Sequence, residues 1–353
     1  MDFSSRNFTN TILLIFVVVL ALYILKVLSF IFLPLTFACV FSVIFMPFMR
    51  WANKLHLPKY ISLILAMVII ALVLGCGTIL VSLTGQEFLT GRAELYEKLD
   101  NRLGQVIEPY VDMLDIDVQK DDGFIKGLLH NSTISKSIMG LVGGSLVQIK
   151  NISTSVLITL FLLILILAGS VNFKLIMQET LFRTPKQVVI VFNKITFGIS
   201  RFVIVKIFTS LMTGVVVGLL CLAFGISFPL LWGILTFFLN FIQMIGSIVV
   251  TIGVCAMAII DITHPGALTA AIALFIGVQI LIGSVLEPIL LGDACDINTV
   301  TVLIMLLFWG FLWGIAGMML AVPMAVLTKI ICEQFEQTKG LARIMSSSKV
   351  SEK

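Results

Sequence analysis

Apolar runs of about twenty residues, free or nearly free of charge, recur along this chain between short segments that collect its acids and bases. A helix needs about 20 such residues to cross the roughly 30 Å hydrocarbon core of a bilayer. Eight stretches qualify: 11–33, 35–49, 61–83, 152–171, 207–224, 229–260, 267–291 and 300–330. Hydrophobic residues make up 59% of the 353 and charged ones 12%. Soluble domains carry about 25% charged residues, so the expected fold class is an all-α polytopic membrane protein. It has about eight transmembrane helices and a small soluble helical insert between the third and fourth.

The charged segments set the expected topology. Arg50, Lys54 and Lys59 stand in an acid-free loop, and 172–206 carries six bases against the single acid Glu179. Short basic loops stay on the cytoplasmic side, which places both termini inside. The acidic stretch 85–150 then falls outside. Its apolar positions Phe88, Leu95, Leu99, Leu103, Val106 and Ile107 give one narrow helical face. The expected organisation is 1–84 transmembrane, 85–150 soluble, 151–332 transmembrane and 333–353 cytoplasmic tail. Residues 185–206 read as an amphipathic surface helix ahead of the fifth span. Pro34 reads as the break between the first two spans, Lys26 as a lysine snorkelling to the interface. The second span is short enough to be re-entrant. The net charge of +4 is no nucleic-acid footprint, since the bases sit between apolar spans. Six cysteines without CxxC spacing read as core hydrophobes. The N-terminus lacks a cleavage signal, so its apolar run is expected to be retained.

Chemistry is confined to a few interruptions. His56, His130 and His264 are isolated, and no phosphate-binding glycine loop occurs. The expectation is a non-enzyme without metal or cofactor, which leaves carriers and channels. Glu287 precedes Pro288, which disfavours helical geometry at the acid, and Gly292 follows. A carboxylate beside freed carbonyls can hold a cation or a proton; the alternative is an exposed acid at a helix end. Asp293 and Asp296 lie further on and read first as solvent-exposed loop acids, with a place on the ion path as the alternative. Asn240, Gln243 and Gly246 interrupt a run too long for one straight crossing, so a tilt, kink or break is expected there. Those amides either line a solute path or join helices. Asp261, His264 and Pro265 read as a turn. Gly214 and Gly218 form a GxxxG pair that serves a dimer face or internal packing. Trp309, Gly310, Trp313, Gly314, Gly317 and Pro323 read as tight helix packing.

With these residues in place, the chain resembles the autoinducer-2 exporter family, also called PerM-type permeases. The resemblance covers nearly the whole length. It rests on Leu286-Glu287-Pro288, Gly292, the Trp309–Pro323 run and the Asn240-Phe241-Ile242 to Gly246 segment. Gln243 and Ser247 stand where many members carry prolines, so the rigid kink those prolines would impose in the sixth span is not implied. The 293–298 run is also more acidic than the family pattern. The resemblance implies secondary transport in a bacterial cytoplasmic (inner) membrane. Its expected partners are the lipid bilayer and either a small polar solute, with autoinducer-2 leading, or a sodium or lithium ion exchanged for protons. A homo-oligomer is expected from the small-residue spans. A third reading is a scaffold or sensor that acts through its insert and transports nothing.

Overall fold

The computed structural model of the protein describes residues 2–56, 58, 60–72, 75, 77, 79–80, 82–87, 90–91, 98, 154–169, 185–292 and 296–347. The insert at 85–150, residues 172–184 of the connector, and Asp293 lie largely or wholly outside them. Every regular element among the described residues is helical. In order these are α1 (Asp2–Val27), α2 (Ser29–Lys54), α3 (Tyr60–Leu72), α4 (Thr154–Leu167), α5 (Pro185–Ala223), α6 (Pro229–Leu239) and α7 (Ile245–Asp261). Then come α8 (Pro265–Gln279), a π-helical segment (Ile280–Leu286), α9 (Glu287–Leu291), α10 (Thr299–Cys332) and α11 (Lys339–Met345). Ser29–Met49, Lys186–Ala223 and Pro265–Leu291 are long and apolar enough to cross a membrane, and Thr299–Cys332 matches them in length and composition but is interrupted at Gly314. The fold is that of an all-α polytopic membrane protein.

Two boundaries differ from the sequence reading. The first two helices part at Leu28, and Pro34 lies inside α2. A proline in the second turn removes a single ladder bond, which a long helix absorbs. The basic stretch from 185 onward is no separate surface helix. It continues without interruption into the fifth apolar run as one helix of 39 residues, about 58 Å long at 1.5 Å per residue. Pro185 starts it at a position where a missing N–H costs nothing, and no proline follows within it.

The chain divides into two compact units. The first comprises Met1–Met67, Ser155–Ile204 and Leu291–Lys353; the second comprises Val68–Thr154 and Val205–Leu290.

In the first unit, α10 packs against α1 and α2. It is folded back on itself at Gly314, whose φ of 64° and ψ of −145° leave the helix. A Cβ on Gly317 would lie 2.0 Å from the Trp309 carbonyl oxygen, and one on Gly310 would lie 3.0 Å from the Met318 side chain. Those pairs sit on opposite arms, 299–313 and 315–332. At the open end, the Lys329 ammonium bonds the Asp296 carboxylate at 2.5 Å. The arms are therefore antiparallel, and the turn needs glycine because an L side chain is strained at that φ. Asn298 closes the base: its Oδ1 accepts from Thr301 N as a helix cap, its N–H donates to Met345 O, and its Nδ2 donates to Ile344 O. This ties α11 to the start of α10. Trp313 Nε1 donates to Leu25 O at 3.0 Å. Lys26 is exposed and sets its ammonium 3.8 Å from the Phe311 ring centroid, a cation–π contact.

In the second unit, α6 and α7 form another antiparallel hairpin. The Trp232 ring lies over Gly253, where a Cβ would come within 2.8 Å. Gly246 lies against the Leu239 carbonyl, where a Cβ would come within 1.7 Å. At the open end, the Asp261 carboxylate accepts from Ser227 N at 2.7 Å, Ser227 Oγ at 2.9 Å and Lys98 Nζ at 3.0 Å. Beside it, Glu87 accepts from Leu230 N and Leu231 N and so supplies an anion at the α6 N-terminus. The long sixth run is thus broken, as expected of it, but the break is a full reversal. Gly214 and Gly218 of α5 meet Gly233 and Pro229 of α6, the closest approach being 2.7 Å from a Gly214 Cβ to Gly233 O. The GxxxG pair therefore serves packing inside the chain. Val217, Phe228, Val250, Val254 and Phe275 fill the adjoining core.

Candidate functional site

The second unit holds a cavity of about 370 Å³ bounded by Lys206 of α5, the tip of the α6–α7 hairpin with the first turns of α7, and the α8–α9 run. Its chemistry begins with Lys206. In α5 the polar residues Lys206, Thr209, Ser210 and Thr213 recur at helical spacing and are all buried. The threonines spend their hydroxyls on the helix itself, Thr209 on Lys206 O and Thr213 on Thr209 O. Lysine cannot do so. Its ammonium, on a side chain only 4% exposed, reaches Glu287 Oε1 at 2.9 Å, Glu287 Oε2 at 3.0 Å and Gln243 Oε1 at 3.1 Å. All three of its protons therefore have an acceptor. Breaking such a buried pair by removing one partner costs about 3–5 kcal/mol.

The hairpin tip supplies the amides. α6 ends at Leu239, and residues Asn240–Met244 turn the chain. Asn240 is almost fully buried, donates to Ser210 Oγ at 3.1 Å and accepts from Ser247 Oγ at 2.9 Å. It fastens the tip to α5 and its two arms to each other, so Gln243 projects toward Lys206. Met244 lines the cavity with φ 61° and ψ −54°, a region costing a non-glycine residue about 1–3 kcal/mol. The reversal is thus made without the two prolines that the resemblance would place here.

Glu287 comes from the other side. The helix does not end at Glu287-Pro288, and Glu287 keeps helical φ and ψ of −60° and −49°, where the sequence reading has the proline push it out of helical geometry. The helix widens into the π-helical turn Ile280–Leu286, in which Glu287 N bonds Ile282 O, and then continues as α9. Pro288 has no N–H, so the ladder is one bond short where Gly283 and Ser284 line the cavity. A wider turn absorbs the proline and aims the acid inward, the usual setting of π-bulges at functional sites.

The structure thus gathers Asn240, Gln243 and Glu287 around Lys206. Gly246 lies behind them as the contact point of the arms, and Pro288 is exposed. Gly292 is exposed and closes α9 with φ 54°. Asp296 belongs to the first unit, is held by Lys329 and does not line the cavity. Trp309, Gly310, Trp313, Gly314 and Gly317 build the α10 turn, and Pro323 is buried further along it. Asp261, read as a turn acid, holds the hairpin base. Sequence reasoning missed Lys206 by counting it as the last base of the connector. The buried lysine-threonine-serine-threonine period in an apolar helix was the available signal. Among the described residues, no three His, Cys, Asp or Glu side chains converge as a metal set.

Helical hairpins and a polar cavity inside an otherwise apolar helical chain fit a permease of the membrane. The chain belongs to the AI-2E family transporters, whose family model matches residues 12–337. A Borreliella burgdorferi protein named "Putative transport protein" is 31% identical over 202 residues, 56% of this chain and 55% of that one. A Haemophilus influenzae protein of the same name is 26% identical over 97% of both chains. The AI-2 transport protein TqsA of Escherichia coli is 25% identical over 89% of this chain and 88% of its own.

Proposed function

We propose that this protein is a secondary permease that exports a small, uncharged, polar solute, with autoinducer-2 the leading candidate, across a bacterial cytoplasmic membrane. One observation carries the reading: the cavity's only described charges, Lys206 and Glu287, neutralise each other. A solute with its own net charge would have to disrupt that pair. A hydroxylated neutral solute can instead share the hydrogen-bonding capacity of Gln243, Ser247, Thr251, Gln279 and Ser284, which line the same space. The volume of about 370 Å³ lies near the lower end of ligand pockets, roughly 300–1,000 Å³. The relative named for AI-2 transport, matched over most of both chains, supports the choice of solute.

Both hairpins return to the side from which they start. Replacing two crossings by two hairpins changes the count by an even number, which supports both termini on the cytoplasmic side. A homo-oligomer remains part of this reading, through the extensive apolar outer faces of the helices.

The test is efflux of labelled autoinducer-2 from proteoliposomes containing purified protein. Saturable efflux that falls sharply in Gln243→Leu is expected; efflux equal to that of protein-free vesicles sinks the proposal. The second reading, sodium or lithium exchange for protons, is favoured by Glu287 as a buried carboxylate. Cation-triggered proton release lost in Glu287→Gln would establish it in place of the first.

A further inference from the structure

Lys206 puts a cation where a transported or coupling ion would otherwise sit. Three oxygens, both from the Glu287 carboxylate and one from the Gln243 amide, converge on its Nζ at 2.9–3.1 Å. They come from two separate elements, the hairpin tip and the first residue of α9, and lie beside an open cavity. Three oxygens around one positive centre are the anchor of a monovalent-cation site, and Ser247, Gln279 and Ser284 of the same lining offer the further oxygens a free ion needs. Here its occupant is covalently part of α5.

We propose that Lys206 is a built-in counter-cation. It keeps the pocket from taking up sodium or lithium, and it makes solute movement independent of those ions. Removing it converts the pocket into a site for a free monovalent cation. The ammonium already engages the carboxylate and amide oxygens that would anchor a free ion, so an entering ion must displace a tethered competitor whose local concentration cannot be diluted. When the lysine is shortened to alanine, the Glu287 carboxylate stays buried without its partner, and the emptied stem leaves room for a small ion. A primary alkylammonium fits best, because it restores an N–H donor at the same distances.

The inference rests on the permease reading for its transport arm and on binding alone for its other arm. Purified wild-type protein, Lys206→Ala, and the double variant Lys206→Ala/Glu287→Gln are compared in sodium, lithium, ethylammonium and choline chloride. Melting temperature and autoinducer-2 efflux are read for each. The wild type should melt and transport alike in all four salts. In choline, Lys206→Ala should melt well below the wild type, as expected for an uncompensated buried carboxylate, and should lose most of its efflux. Ethylammonium should raise its melting temperature with saturation and restore efflux, as ligand linkage requires. The double variant has no carboxylate to neutralise and should melt alike in all four salts.

A wild type that needs sodium or lithium overturns the proposal. So does a Lys206→Ala protein whose melting ignores ethylammonium, or one that transports at the wild-type rate in choline. If Lys206→Ala cannot be purified, recovery of normal yield in the double variant supports the unpaired charge as the cause, and failure of the double variant as well overturns it. If the wild type moves no autoinducer-2, the permease reading falls while the melting comparison still decides the cation site.

Discussion

Gly246→Ala tests the hairpin directly. A Cβ at this position would lie 1.7 Å from Leu239 O and 2.5 Å from Leu239 C, both backbone atoms of the opposite arm. Ordinary contact begins at 3.4 Å, so the arms must part by about 1.7 Å, and no side-chain rotation relieves the clash. Overpacking costs about 1–3 kcal/mol where neighbours can yield, and here they cannot. Parting the arms also strains the Ser247–Asn240 bond at 2.9 Å and, through the tip, the Gln243–Lys206 bond at 3.1 Å. Neutral bonds contribute about 0.5–1.5 kcal/mol and bonds to charged groups about 1.5–3 kcal/mol. The alanine helix preference returns at most about 1 kcal/mol. The net loss is therefore about 3 kcal/mol or more, roughly a hundredfold in the population of the closed hairpin. Hydrogen exchange over residues 229–261 in detergent-solubilised protein, read beside the melting temperature, measures it. Gly218→Ala is the control, because its Cβ would stand 3.4 Å from Pro229 O. That variant should be neutral or slightly stabilised. Exchange unchanged in Gly246→Ala would refute the close antiparallel pairing of α6 and α7.

Further outcomes follow from single contacts. Met244→Gly relieves about 1–3 kcal/mol of strain against about 0.5–1 kcal/mol of added chain entropy and should raise the melting temperature, and Met244→Val should lower it; the reverse order would show the tip backbone to be unstrained. Asn298→Ala removes a helix cap worth about 1 kcal/mol together with the bonds holding α11. Trypsin should then cut after Arg343 several-fold faster than in the wild type; an equal rate would show that α11 is held otherwise. Asp261→Ala leaves Ser227 N without its acceptor, a loss of about 1–3 kcal/mol, and should speed exchange at the α6 start; protection equal to the wild type would remove Asp261 from the hairpin base.

Much of the fold was legible because lipid allows so few solutions. Long apolar runs and basic loops mark helices, and Asn240, Gln243, Gly246, Gly314 and Glu287-Pro288 all mark real irregularities. What a sequence does not display is direction after an interruption. A glycine or amide in an apolar run signals that the helix stops, and the same residues serve a kink or a reversal. The choice is made by contacts such as Asp261 with Ser227 and Lys329 with Asp296, far apart in the chain. Lys206 was hidden for a related reason. It ends a basic segment, so charge patterning assigned it to solvent, while its burial depends on Glu287, 81 residues later. The π-turn has no compositional mark that separates it from an α-helix.

The brevity of α6 bears on how the protein enters the membrane. Eleven residues make a rod of about 16 Å, half the thickness of the hydrocarbon core, and its far end carries Asn240 and Gln243. Such a segment cannot halt in a bilayer by its own hydrophobicity, and its amides find no partner in lipid. It partitions only when α7 is already folded against it and the small-residue groove of α5, at Gly214 and Gly218, is there to receive Gly233. The expected order of assembly is therefore α5 first, as the template, with α6 and α7 paired to each other before either is buried in lipid.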